Sequence, residues 1–467
     1  AGGKAMEIIM SNSAVVKETK REIDILSGSV WDKILMFTIP IAASSILQQL
    51  FNAADVAVVG KFASDSALAA VGSTSSLINL IINLFVGLSV GANVIISRFI
   101  GQEDAKNASL AAHSSVALAI VCGLIMTVLG QLIAVPALEI MSCPSEVIGL
   151  ATLYMRIYFL GMPFMMLYNF CYAILRSRGD TRRPLYGLTA SGIINVILNL
   201  FFVIVCRLSV AGVAIATVIS NIVSSGLLIY FLINDDSAVR INPKKIRLDK
   251  RLTVAILKIG VPTGLQTSMF SISNVCVQSA INKLGKAYIA ASAAETSIDS
   301  FIYFIPASFG QTCVTFISQN HAARNYKRCK SIIRQSLVMG VLITAVASAV
   351  ALVFGRQLLG IFTDSELIIK YGMEKLWCIM PLELVMVFSE VLSGALRSAG
   401  YSVLPACISV AGVCVLRIVW MYTFFAAHRS FINLMIVYPI SWVATSAAIL
   451  VAYLALRRRI FPPTEQK

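Results

Sequence analysis

Along this chain, long runs of predominantly apolar residues alternate with short polar punctuation. Twelve runs read as helices, at about 34–60, 67–96, 108–134, 146–173, 186–206 and 210–233, then 254–281, 287–317, 331–354, 369–394, 402–427 and 431–456. A helix of about 20 residues crosses the roughly 30 Å hydrocarbon layer of a bilayer, so each run predicts a transmembrane span. One long polar interruption, NDDSAVRINPKKIRLDKR at 234–251, divides the runs into two sets of six. The expected organisation is an N-terminal segment 1–30, a first lobe 31–233, a linker 234–253, a second lobe 254–456 and a tail 457–467. The fold class is all-α and integral to a membrane.

The punctuation repeats. LRSRGDTRRP (175–184) returns as LRSAGYSVLP (396–405), with Arg176 and Arg397, Gly179 and Gly400, and Pro184 and Pro405 each 221 positions apart. ISRFIGQEDAKN (96–107) resembles ISQNHAARNYKR (317–328) at the same offset, LEIMSCPSE (138–146) resembles LGIFTDSE (359–366), and Pro40 answers Pro262 at 222. A period near half the chain indicates duplication of a whole domain rather than a solenoid. Six is an even number of crossings, so both halves enter the membrane in the same sense. That gives a parallel repeat about an axis along the membrane normal, an arrangement suited to alternating access. Both motifs then turn the same loop on the same side, with Gly179 and Gly400 permitting the turn and Pro184 and Pro405 starting the next helix.

Composition strengthens this reading. The chain is 58% hydrophobic and 13% charged, with mean hydropathy +0.82, whereas soluble domains are about a quarter charged. The net charge of +15 needs no nucleic acid, because Lys and Arg gather in the loops expected to be cytoplasmic. Arg176, Arg178, Arg182 and Arg183 stand in one such loop, and Lys244, Lys245, Arg247, Lys250 and Arg251 in the linker. The opposite loops carry Lys61, Arg207, Lys283, Lys286, Arg356 and Arg429. Both termini are therefore expected in the cytoplasm of a cell with this protein in its plasma membrane. Residues 1–30 are polar and charged and show no signal segment. The ten cysteines show no CxxC pairing, and Cys122, Cys171, Cys276, Cys407 and Cys414 lie inside apolar runs. His113, His321 and His428 are isolated. Without a Walker A motif, nucleophile elbow or Gly-rich nucleotide loop, neither an enzyme nor an ATP-driven pump is expected, and no cofactor.

Several segments together carry a family resemblance: IP…LQQLFNAADVAVVGKF…LAAVG (39–72), LRSRGDTRRP, AETSIDSFIYFIPASFGQTCVTFISQN (294–320) and LSGALRSAG (392–400). The chain resembles the MATE (multidrug and toxic compound extrusion) transporters of bacterial multidrug-efflux type over about 34–456. The resemblance implies two six-helix lobes forming a V-shaped cleft, and a monomer that exports amphiphilic or cationic small molecules in exchange for H⁺ or Na⁺. A lipid-linked sugar flippase of the related two-lobe superfamily is the alternative. Flippases tend to carry two further helices or a basic central cavity, whereas mid-membrane charge here is mainly acidic.

A charge at bilayer depth is costly, which makes each one a functional candidate. Asp55 matches the family's helix-1 acid implicated in cation coupling. Where many members carry an Asn and then, four residues later, Asp-Pro, this chain has Asn195 and then Asn199 and Leu200. Spacing of four puts both amides on one face, directed towards Asp55. An amide cannot titrate, so a two-carboxylate relay is incomplete; a single-carboxylate site, or a Na⁺ site lined by Asp55 and amide oxygens, stays open. In the second half Glu295 and Asp299 share a helical face and are candidates for substrate binding. Arg417 needs a partner, and by depth Glu383 is the nearest acid; both join that group. Glu390 lies closer to the membrane surface.

Overall fold

The computed structural model describes residues 23–140 and 145–462. The expectations for 1–22, for the middle of LEIMSCPSE and for 463–467 lie outside the described residues.

The first half runs α1 (Trp31–Phe62), α2 (Asp65–Gly101), α3 (Ala105–Ile140), α4 (Ser145–Leu160), α5 (Met162–Ser177), α6 (Arg182–Leu200) and α7 (Ser209–Ile233). The second runs α8 (Lys250–Asn282), α9 (Lys286–Ala322), α10 (Tyr326–Val353), α11 (Glu366–Ser398), α12 (Val403–Ser409), α13 (Leu416–Tyr422) and α14 (Val437–Ile460). Among the described residues, ten helical stretches are long and apolar enough to cross a membrane, and α4 with α5 forms an eleventh, bent by 47°. The run 146–173 was expected to be one helix. It breaks at Gly161, and Pro163 sits in the first turn of α5, where its missing N–H costs nothing. The twelfth span is α8, whose 33 residues are long enough but interspersed with Thr263, Gln266, Thr267, Ser268, Ser271, Ser273 and Asn274.

Sequence dictates this polarity pattern through packing. Leu342, Val346, Val350 and Val353 of α10 recur at helical spacing and are more than half exposed, as lipid-facing residues should be. In contrast, α8 lies along α2. Gly87 and Gly91 on α2 face Gly260 and Gly264 on α8, so each helix brings two small residues four apart. A Cβ at Gly264 would stand 2.0 Å from the Leu84 carbonyl oxygen, and one at Gly87 would stand 2.2 Å from the Gly264 nitrogen. With no hydrophobic drive inside lipid, such close backbone approach holds helices together. Thr267 and Ser268 hydroxyls donate across the seam to the carbonyls of Asn83 and Leu80, at 3.0 and 3.2 Å.

The halves exchange their leading helix turns. Ile34, Phe37 and Ile41 of α1 are buried with Phe309, Phe316 and Leu392 of the second half, and the Phe37 and Phe316 rings meet edge to face at 5.1 Å. Reciprocally, Leu252, Ile256 and Ile259 of α8 are buried with the first-half core. Ile34 and Ile256 are 222 positions apart, matching the Pro40–Pro262 register, and both are fully buried.

The repeated motifs form matching turns. Gly179 and Gly400 have φ of +103° and +101°, and Glu103 and Arg324, also 221 apart, share φ of +57°. The first motif is additionally tied to the linker. Arg183 bridges Asp180 at 2.8 Å and Asp235 at 2.7 Å, and Arg178 also pairs with Asp235. Burial opposes ionisation of Asp235, but the Ser237 hydroxyl and the Arg178 charge outweigh it and hold the carboxyl below its ordinary value. Ala399 and Tyr401 in the second motif cannot build that network.

Candidate functional site

In the first half, α1, α4, α5, α6 and α7 surround a cavity of about 90 Å³ that Asp55 shares with Gln48, Tyr158, Tyr168, Asn169, Asn195 and Ser220. Asp55 is half-buried. The Asn199 side-chain amide donates to its carboxylate and also to Asn195 Oδ1 at 3.1 Å, and the Asn195 amide reaches Ser220 Oγ at 3.5 Å. The four-residue spacing thus directs Asn199 onto Asp55 and leaves Asn195 one step behind. Drug-sized ligands need about 300–1,000 Å³, so this cavity suits an ion with a few waters. Of the methionines in the first turns of α5, Met162 and Met166 are buried packing residues, whereas Met165 reaches the cavity.

In the second half, α9 presents Ser292, Glu295, Thr296 and Asp299 on one face, at spacings of three and four. Glu295 is fully buried and forms an ion pair at 2.5 Å with Lys375 of α11, itself 3% exposed. Asp299, half-buried, lies within electrostatic reach of Glu295, Lys375 and Arg417. Glu383, eight residues beyond Lys375 on α11, is fully buried and in reach of both acids on α9.

The expected Arg417–Glu383 pair does not form. Arg417 donates to Asn274 Oδ1 at 2.9 Å and Ser441 Oγ at 3.0 Å, and its guanidinium stands 4.2 Å from the centre of the Tyr438 ring. Among the described residues, Glu383 has no hydrogen-bond partner on either oxygen. Depth along a helix fixes height but not azimuth, and Arg417 points towards α8 and α14 instead. Nothing in the sequence singles out Lys375. In YGMEKLWC it follows Glu374 near the start of its helix, the signature of a solvated turn; only the rotation of α11 turns Glu374 out and Lys375 in. Glu390 is paired rather than solvated, accepting from the Tyr303 hydroxyl at 3.2 Å.

Hydrogen bonds between the halves gather where α2, α5, α9 and α11 end. Arg98 donates to the Ser398 carbonyl at 2.8 Å, Gln319 to the Ser177 carbonyl at 2.6 Å, and Thr315 to Asn93 Oδ1 at 3.0 Å. Arg176 donates to Gln311 across the halves, whereas its repeat counterpart Arg397 donates within the second half, to Gln266 of α8 at 2.7 Å. This end of the molecule is sealed by polar bonds.

The chain is similar to known proteins in sequence and in fold. A sequence model of the MatE family matches twice, at residues 40–201 and 262–423. The chain is 27% identical over 395 residues to the probable multidrug resistance protein YoeA of Bacillus subtilis, covering 82% of this chain and 85% of that one. It is 23% identical over 372 residues to the multidrug export protein MepA of Staphylococcus aureus, covering 79% and 82%. Among solved structures, a multidrug resistance MATE family transporter in an outward-facing conformation superposes with TM-score 0.86 at 23% identity, covering 94% of this chain and 98% of that one. A Pyrococcus furiosus transporter of the MOP superfamily gives 0.85 at 23% identity, over 93% and 97%. The duplicated family match, falling on the two six-span lobes that the repeat marks out, shows that the chain belongs to the MATE family of membrane transporters.

Proposed function

We propose that the protein is a secondary antiporter of the plasma membrane, exporting amphiphilic or cationic small molecules in exchange for H⁺ or Na⁺ by alternating access between lobes 31–233 and 254–456. The observation that carries this reading is Asp55, a carboxylate in a small polar cavity with the Asn199 amide against it. Such a site can take and release one cation without touching a drug-sized ligand. The names of the relatives support multidrug substrates. Both termini, and the loops 175–184 and 396–405, lie in the cytoplasm under this reading, so the end sealed by polar bonds faces inward. Asn195 and Asn199 complete the ion site, and Glu295, Asp299, Glu383 and Arg417 receive the substrate.

Proteoliposomes loaded with a fluorescent cation, with pH and Na⁺ gradients imposed separately, test the proposal. One gradient should drive uphill movement and the other should not; movement indifferent to both would refute antiport. Impermeant maleimide labelling of single cysteines in the two repeated loops should mark them on the same, inner side.

A further inference from the structure

The second-half site already contains a cation. The Lys375 ammonium lies on the polar face of α9, 2.5 Å from Glu295 Oε2, and it donates to Thr296 Oγ1 at 2.8 Å and Ser292 Oγ at 2.9 Å, with the Ser292 carbonyl at 3.3 Å. An ammonium carries three protons, and here convergent oxygens meet all of them. The geometry is that of a primary-ammonium binding site filled by the chain's own side chain.

Next to it, acceptors remain unused. Among the described residues, neither Glu383 oxygen has a hydrogen-bond partner although the residue is fully buried, and Asp299 Oδ1 is buried without one. Three carboxyls therefore face two cations, and an isolated buried charge is costly, so the cluster has room for one more positive group. The two cations differ in freedom. Arg417 is held by Asn274, Ser441 and the Tyr438 ring. Lys375 hangs on a four-carbon stem and is the one able to swing.

We propose that Lys375 is a tethered competitor for cationic substrates: its ammonium occupies the Glu295 end of the carboxyl cluster and must yield it when an organic cation enters, so Lys375 sets the site's charge preference. The inference rests on the proposed export of cations. It assigns Lys375 a role in specificity rather than in driving transport.

Equilibrium binding of ethidium, a permanent cation, and chloramphenicol, which is neutral, to the purified full-length protein tests it. Lys375→Met should tighten ethidium binding at least tenfold and leave chloramphenicol within about twofold. Glu295→Gln, which frees the ammonium, should weaken ethidium by a similar factor. The double variant should return towards wild type, and Lys375→Arg should stay near it. Opposite signs for the two single variants are an outcome that structural damage cannot imitate. Unchanged or weaker ethidium binding in Lys375→Met, with wild-type binding intact, overturns the role of Lys375. A wild type that binds neither probe overturns the export reading itself, and this inference with it.

Discussion

Arg98 and Gln319 occupy equivalent places in the two halves, 221 positions apart, and each donates to a backbone carbonyl of the other half. The acceptors, Ser398 and Ser177, are themselves 221 apart. The duplication has thus produced a reciprocal latch. At about 1.5 kcal/mol each, two such bonds weight the sealed arrangement by roughly a hundredfold. Arg98→Ala and Gln319→Ala should each loosen this end, and the double variant more than either. Thr315 is fully buried one helical turn before Gln319, so a cysteine placed there should react several-fold faster with an impermeant maleimide in the double variant. Equal rates in all four proteins would show that the bonds do not hold the seal.

Asp55→Asn should fold and retain ligand binding but lose gradient-driven transport by at least tenfold, because an amide neither exchanges a proton nor balances Na⁺. Counterflow of labelled against unlabelled ligand, which needs no coupling ion, should survive. Full uphill transport by this variant would move coupling to the second half, with Asp299→Asn the next variant to measure.

Gly264→Val should block the α2–α8 approach. The backbone clash at 2.0 Å lies against a carbonyl that cannot rotate away. Transport should fall more than tenfold, while the exposed, uncrowded Gly72 should tolerate alanine with less than twofold change. Wild-type rates for Gly264→Val would mean that the seam is not a working contact.

Asp235 should govern acid stability of the linker. Its carboxyl is held below the ordinary value, so its stabilising contribution is present above the unfolded pKa and disappears as pH falls through the lower folded value. Removing it takes one charged acceptor from Arg178 and Arg183, although Arg183 keeps Asp180, at a cost of about 2 kcal/mol. Asp235→Asn should lower the melting temperature at pH 7, and the difference from wild type should shrink towards pH 4 and below. A pH-independent difference would remove the carboxylate from the explanation.

The duplication was readable because turns need particular residues: Gly179 and Gly400 occupy φ values that other side chains resist, so their register survives in the sequence. Spans were readable because lipid demands apolar runs. The bend at Gly161 was hidden because Gly and Pro are common inside membrane helices. The Asp55–Asn199 contact followed from spacing on one helix plus family likeness. Lys375 and the true partners of Arg417 were not readable, since which residues face each other across separate helices depends on rotation, about which a single strand of apolar residues says little.

The swapped helix starts impose an order on synthesis. Ile34 and Phe37 emerge from the ribosome well before the wall they lean on, which includes Phe309, Phe316 and Leu392 of the second half. The leading helix must therefore wait in the bilayer with one face uncovered until the second lobe arrives. Meanwhile the start of α8 can dock at once on the lobe already present. The two halves are consequently not independent folding units: truncation after the linker strands α1, and two fragments produced separately must find each other before either core is closed.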